Sequence, residues 1–129
     1  MNVKKKILIK GEKVHDVGYR LYLMNLAGKL EIEKFDADNI YEDGVQCVEV
    51  LVGSSKSKID KFFDIVNKKE NYPVHAKVDS AETEDYDSDI QSLESFRSGF
   101  IAYQQQKSLN TLIGVRNEFR AFRNERKQS

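Results

Sequence analysis

The sequence predicts an α+β sandwich, four strands and two helices in the order βαββαβ, with a long helical extension behind it. Three observations carry this reading. Apolar residues recur at helical spacing in two separate stretches, each preceded by a short β-rich run. Tyr41-Glu42-Asp43-Gly44 places an Asp-Gly hairpin signal between the second and third β-rich runs. The 129 residues fit one small domain with an appendage, and a 40% hydrophobic content supplies a core.

The first strand is Lys6-Ile7-Leu8-Ile9-Lys10-Gly11, β-rich and ended by glycine. A loop covers Glu12 to Val17. Tyr19, Tyr22, Leu23, Leu26, Ala27 and Leu30 then step by three and four, one apolar stripe of a helix with Gly28 near its end. Ile32 to Ala37 reads as a second strand, interrupted by Glu33, Lys34 and Asp36. Gln46-Cys47-Val48-Glu49-Val50-Leu51-Val52 reads as a third, stopping at Gly53. Ser54-Ser55 offers N-cap chemistry to a second helix with Ile59, Phe62, Phe63 and Val66 on its buried face. Asn71-Tyr72-Pro73 breaks that helix. Val74, Ala76 and Val78 alternate with polar residues and place a fourth strand from Val74 into the low 80s. Two right-handed crossovers interleaved by a hairpin give a four-stranded antiparallel sheet with two helices on one face, a ferredoxin-like arrangement.

After Asp79 the composition changes. Asp79, Glu82, Glu84, Asp85, Asp87 and Asp89 crowd together as a solvated linker or the lead-in to a helix. Leu93, Phe96, Phe100 and Tyr103 then form one helical stripe, and Leu112, Val115, Phe119 and Phe122 another. Gln104-Gln105-Gln106-Lys107-Ser108 lies between them, so the extension is one long helix with a phase slip or two helices broken near Ser108. Its end is basic, with Arg116, Arg120, Arg123, Arg126 and Lys127, which suits a helix C-terminus. The expected division is a domain over residues 1–89 and a helical extension over 90–129.

Composition excludes several function classes. Lys plus Arg number 21 and Asp plus Glu 21, so no net charge draws the chain to nucleic acid, and a nucleic-acid partner is disfavoured. No apolar run approaches the roughly 20 residues that cross a bilayer, and the apolar stretch after Lys4-Lys5-Lys6 is too short for a signal peptide. The single cysteine, Cys47, forms no internal disulfide and reads as a small core residue, which favours a reducing cytoplasm. His15 and His75 are the only histidines, and nothing spaces them with carboxylates as metal ligands, so no metal or cofactor is expected. His15 reads as a loop residue facing solvent.

The stretch with chemical content is Lys10-Gly11-Glu12-Lys13-Val14-His15-Asp16-Val17-Gly18-Tyr19-Arg20. It runs from strand through loop into a helix start. Such a start presents unpaired backbone N–H groups and the positive end of the helix dipole, an anion-binding geometry. Arg20, in the first turn, can reach back and grip a phosphate with two parallel hydrogen bonds. The alternative is an ordinary strand-to-helix turn with a surface arginine.

The same stretch resembles the signature of the acylphosphatase family: Gly, Val, a polar residue, a Gly, then Val-x-[Phe/Tyr]-Arg. Gly11, Val14, His15, Val17, Gly18, Tyr19 and Arg20 match it, and Val48-Glu49-Val50, Gly53, Ile59 and Phe62-Phe63 fit the pattern further on. The resemblance spans about residues 3 to 88. It implies the βαββαβ fold and metal-independent hydrolysis of a small-molecule acyl phosphate. It implies that backbone N–H groups of Val14, His15, Asp16, Val17, Gly18, Tyr19 and Arg20 cradle the phosphoryl group while the Arg20 side chain stabilises its charge.

The family also positions the attacking water with an asparagine near the end of the second strand. Counting from Arg20 without a gap lands on Asp38; one extra residue places Asn39 there, and the hairpin beyond is one residue longer than the family's. Asn39 is the chosen candidate, because a neutral amide both donates to and accepts from water; its alternative role is turn support. Asp16 departs from the family's glycine. A carboxylate about 5 Å from a phosphate costs roughly 1–3 kcal/mol, tenfold or more in binding, when it is unpaired, and less when it points outward toward Lys13.

Two function classes follow. One is an acylphosphatase-like hydrolase working through Arg20 and Asn39. The other is a catalytically weak or inactive module of the same fold that acts through its C-terminal helix. That helix either covers the open face of its own sheet or pairs two chains, so the chain is a monomer or a homodimer.

Overall fold

The computed structural model describes residues 2–128, with side chains through residue 110. The predicted contacts of Leu112, Val115, Phe119 and Phe122, and the basic side chains from Arg116 onward, lie outside the described residues. The chain forms two compact units, divided between Phe96 and Arg97.

The first unit is the predicted sandwich. Strands β1 (Asn2–Gly11), β2 (Lys34–Glu42), β3 (Val45–Ser55) and β4 (Ser80–Asp85) form one sheet in the order β2-β3-β1-β4, every neighbouring pair antiparallel. Helices α1 (Tyr19–Lys29) and α2 (Lys56–Val66) pack against the sheet. Alternation decides which side chains they cover. Ile7 and Ile9 of β1, Val48 and Val50 of β3 and Phe35 and Ala37 of β2 share one face and are buried. Lys6, Leu8, Asp38 and Glu49 project to the other face. Leu23 and Ala27 of α1 and Ile59, Phe62 and Val66 of α2 complete the core. Ser55 caps α2 by accepting a hydrogen bond from the Lys58 amide, as its position before the helix predicts.

Two boundaries stand out against expectation. Glycine does not end β3: Gly53 lies within the strand, and a β-carbon there would come 3.1 Å from the β-carbon of Lys34, so it marks close approach rather than a stop. The fourth strand does not begin at Val74, which is 92% exposed in a turn closed by the Ala76 amide on the Pro73 carbonyl. It begins at Ser80, inside the acidic run expected to be a linker. Charge explains the placement: Lys5 meets Asp85, and Lys6 lies 3.3 Å from Glu84 and 3.4 Å from Glu49. The basic start of β1 is thus the partner of an acidic edge strand, and an edge strand tolerates such charge.

Beyond β4 the chain crosses to the outer edge of β2. The Phe35 amide donates to the Gln91 carbonyl and the Leu93 amide to the Glu33 carbonyl, at 3.0 and 2.9 Å. Leu93 and Phe96 are buried, and Phe96 meets Phe35 edge to face with centroids 4.9 Å apart. Helix α3 (Leu93–Gln128) then runs unbroken through Ser108, so the extension is one helix. In the second unit Ile101 and Leu109 are exposed, and Tyr103, expected on the buried stripe, is 50% exposed.

Candidate functional site

Everything in the candidate site hangs on how the loop between β1 and α1 is seated. Its first half is tied to β3. The side-chain oxygen Oε1 of Gln46 accepts hydrogen bonds from the backbone N–H groups of both Val14 and His15, each 3.0 Å. One residue on, the Cys47 carbonyl lies 2.7 Å from Nε2 of His15; a carbonyl only accepts, so Nε2 carries the proton. The His15 ring also stands edge-on to Tyr41, centroids 5.0 Å apart at 81°. His15 is therefore only 6% exposed, which corrects the expectation of a solvent-facing loop residue. Its burial is compensated by that hydrogen bond. Cys47 is buried as predicted, and burial pushes its thiol up.

The second half of the loop is shaped by backbone sign. Asp16 has φ 56 and Gly18 φ 81, both left-handed, while Val17 between them has a negative φ. Alternation of this kind gathers successive N–H groups toward one side, the geometry of an anion-binding concavity. Gly18 is the N-cap of α1 and has no side chain to cap with. The helical ladder opens with Tyr22 N–H on the Gly18 carbonyl at 3.0 Å. Among the described residues the N–H groups of Val17, Gly18 and Tyr19 make no hydrogen bond. The seven predicted cradle positions thus divide. Val14 and His15 spend their amides on Gln46, and Val17, Gly18 and Tyr19 present theirs at the helix start beside Asp16 and Arg20.

Tyr19 roots this start in the core. It is 2% exposed, its ring is 6.3 Å from that of Tyr22 and 6.5 Å from that of Tyr72, and burial raises its phenol far above the ordinary range. Arg20 follows as the second residue of α1, half-buried, in the turn whose N–H groups face the loop.

Strand β2 separates the two candidates for the remaining role. Asn39 pairs with Val48 and so lies on the face of Ile9, Gln46 and Tyr41, where the loop is seated. Asp38 pairs with Glu49 and lies on the opposite face. The hairpin that follows is a tight one: Asp43 (φ 53) and Gly44 (φ 79) alone join Glu42 to Val45. The turn is therefore two residues long, not the lengthened one expected from the sequence. Gln46 and Tyr41 carried no signal in the sequence, because the bonds that define Gln46's role span 31 and 32 positions.

Among the described residues no group of His, Cys, Asp and Glu is placed to hold a metal ion. No helix among them is long and apolar enough to cross a membrane.

Comparison with known proteins agrees with this fold. The acylphosphatase family profile matches residues 5–98. The acylphosphatase from Bacillus subtilis superposes with a TM-score of 0.52 at 22% identity, over 68% of this chain and 88% of that one. The acylphosphatase from Coxiella burnetii gives 0.52 at 15% identity, over 68% and 84%. Full-length HypF, solved in a phosphate- and nucleotide-bound form, gives 0.58 at 23% identity over 68% of this chain, which spans only 11% of HypF. At such identities these likenesses speak for the fold. No curated protein matches the chain. The family match over most of the sequence, on a fold of the same type, places this chain in the acylphosphatase family.

Proposed function

We propose that the protein hydrolyses small-molecule acyl phosphates, splitting the mixed anhydride into carboxylate and inorganic phosphate. One observation carries the reading. The N–H groups of Val17, Gly18 and Tyr19, which follow the left-handed Asp16 through the left-handed Gly18 into α1, sit at the same helix end as Arg20. Together they offer several donors and a full positive charge to one tetrahedral anion.

In this reading the amides hold the non-bridging phosphoryl oxygens, and the guanidinium binds two of them as charge develops. Asn39, on the loop's face of β2, orients a water in line with the bond to the acyl oxygen. The water oxygen bonds to phosphorus as the bond to the acyl oxygen breaks. The electron pair leaves on the carboxylate, and the water's proton passes to the phosphate product. A carboxylate is a good leaving group, so no strong general acid is required. Positioning and preorganised charge suffice, and the reaction calls for no metal.

The test is hydrolysis of benzoyl phosphate by the full chain in the presence of a chelator. Saturable turnover above the spontaneous rate supports the proposal. A rate equal to the buffer blank overturns it and leaves the fold serving as a non-catalytic module.

A further inference from the structure

We propose that Gln46 is a positioning residue for the phosphate cradle; the proposal rests on the acylphosphatase reading above. A single oxygen, Oε1, takes up the amides of Val14 and His15, and the neighbouring Cys47 carbonyl takes up the His15 ring. These three bonds fasten the first half of the loop to β3 and leave the second half as the anion-binding half. The same strand carries Val48, the partner of Asn39, two residues from Gln46. The clamp therefore fixes the loop against β3, the strand paired with the one that carries Asn39. It also holds the loop in a shape that places Asp16, a side-chain-bearing residue, at φ 56, a conformation that needs support from its surroundings.

Removing the oxygen leaves two part-buried amides unpaired and the loop free to shift. The phosphoryl group is held by the cradle in both the ground state and the transition state. The loss therefore falls mainly on KM rather than on kcat.

The experiment is an amide-resolved NMR titration of the full chain with inorganic phosphate, followed by kinetics on Gln46→Met with benzoyl phosphate. In the wild type the Val17, Gly18 and Tyr19 amides should shift with phosphate, while those of Val14 and His15 stay in place and exchange slowly. In Gln46→Met the Val14 and His15 amides should exchange faster. Phosphate should bind about tenfold more weakly, with KM raised by a similar factor and kcat within about threefold. Wild-type shifts as large at Val14 and His15 as at Val17 to Tyr19 would overturn the proposal, since those amides would then belong to the cradle. Unchanged KM and phosphate affinity in Gln46→Met would overturn it as well, with the hydrolase reading intact. No loop shift and no turnover in the wild type would instead remove the hydrolase reading itself, and the proposal with it.

Discussion

Asp38 and Asn39 are neighbours in sequence and lie on opposite faces of β2. Of the two, only Asn39 shares a face with Tyr41 and Gln46, whose side chains contact His15 and the Val14 and His15 amides of the loop. Asn39→Ala should therefore lower kcat on benzoyl phosphate by roughly 10²-fold, the scale of losing one preorganised polar group. Asp38→Ala should change it less than about threefold. Parallel steady-state kinetics check the pair, and equal losses would contradict the assignment.

The sequence reported this fold well where burial is periodic. Both helices and the middle strand show their faces through residues such as Leu23, Phe62 and Val50, because a core side chain must recur with the period of its element. It reported β4 poorly. Val74 and Ala76 imitate a half-buried strand, while the real strand is an acidic edge stabilised by lysines some 80 positions away. The site divides in the same manner. The loop and Arg20 follow from a local motif. Burial of His15 and the role of Gln46 depend on a hairpin about 30 residues downstream, and no local pattern encodes that contact.

Gly11 has a steric reason of its own. A β-carbon there would lie 1.9 Å from the carbonyl oxygen of Lys77, which exchanges backbone hydrogen bonds with Lys13 two residues on. Gly11→Ala must push that backbone aside and should cost about 1–3 kcal/mol or more, visible as a lower urea midpoint at unchanged slope. An unchanged midpoint would contradict the close approach.

Asp16 combines a left-handed backbone with a negative charge beside the proposed anion site. Asp16→Gly should relax the backbone and tighten phosphate binding by about three- to tenfold. Asp16→Asn should keep most of the affinity gain without the backbone gain. Calorimetric titration with phosphate separates the two, and weaker binding in both variants would show that the carboxylate supports the cradle.

The buried tyrosines set an alkaline limit on stability. Burial raises the phenols of Tyr19 and Tyr22 above the ordinary 10.0, while the unfolded chain ionises them at that value. Below pH 10 both states hold their protons and stability is unaffected; above it only the unfolded state releases them, so stability falls as pH climbs. Tyrosinate absorbance followed with circular dichroism should show two classes among the six tyrosines, the buried ones ionising only as the fold is lost. Ionisation of all six with the dichroism intact would contradict the burial.

The most direct test of hydrolysis is the side-by-side rate of wild type and Arg20→Ala on benzoyl phosphate, with folding of both verified by circular dichroism. Turnover in the wild type and a loss of at least roughly 10²-fold in the variant is the predicted result. Equal turnover in two folded proteins would show that Arg20 does not bind the reacting phosphoryl group, and the account of the site would fail.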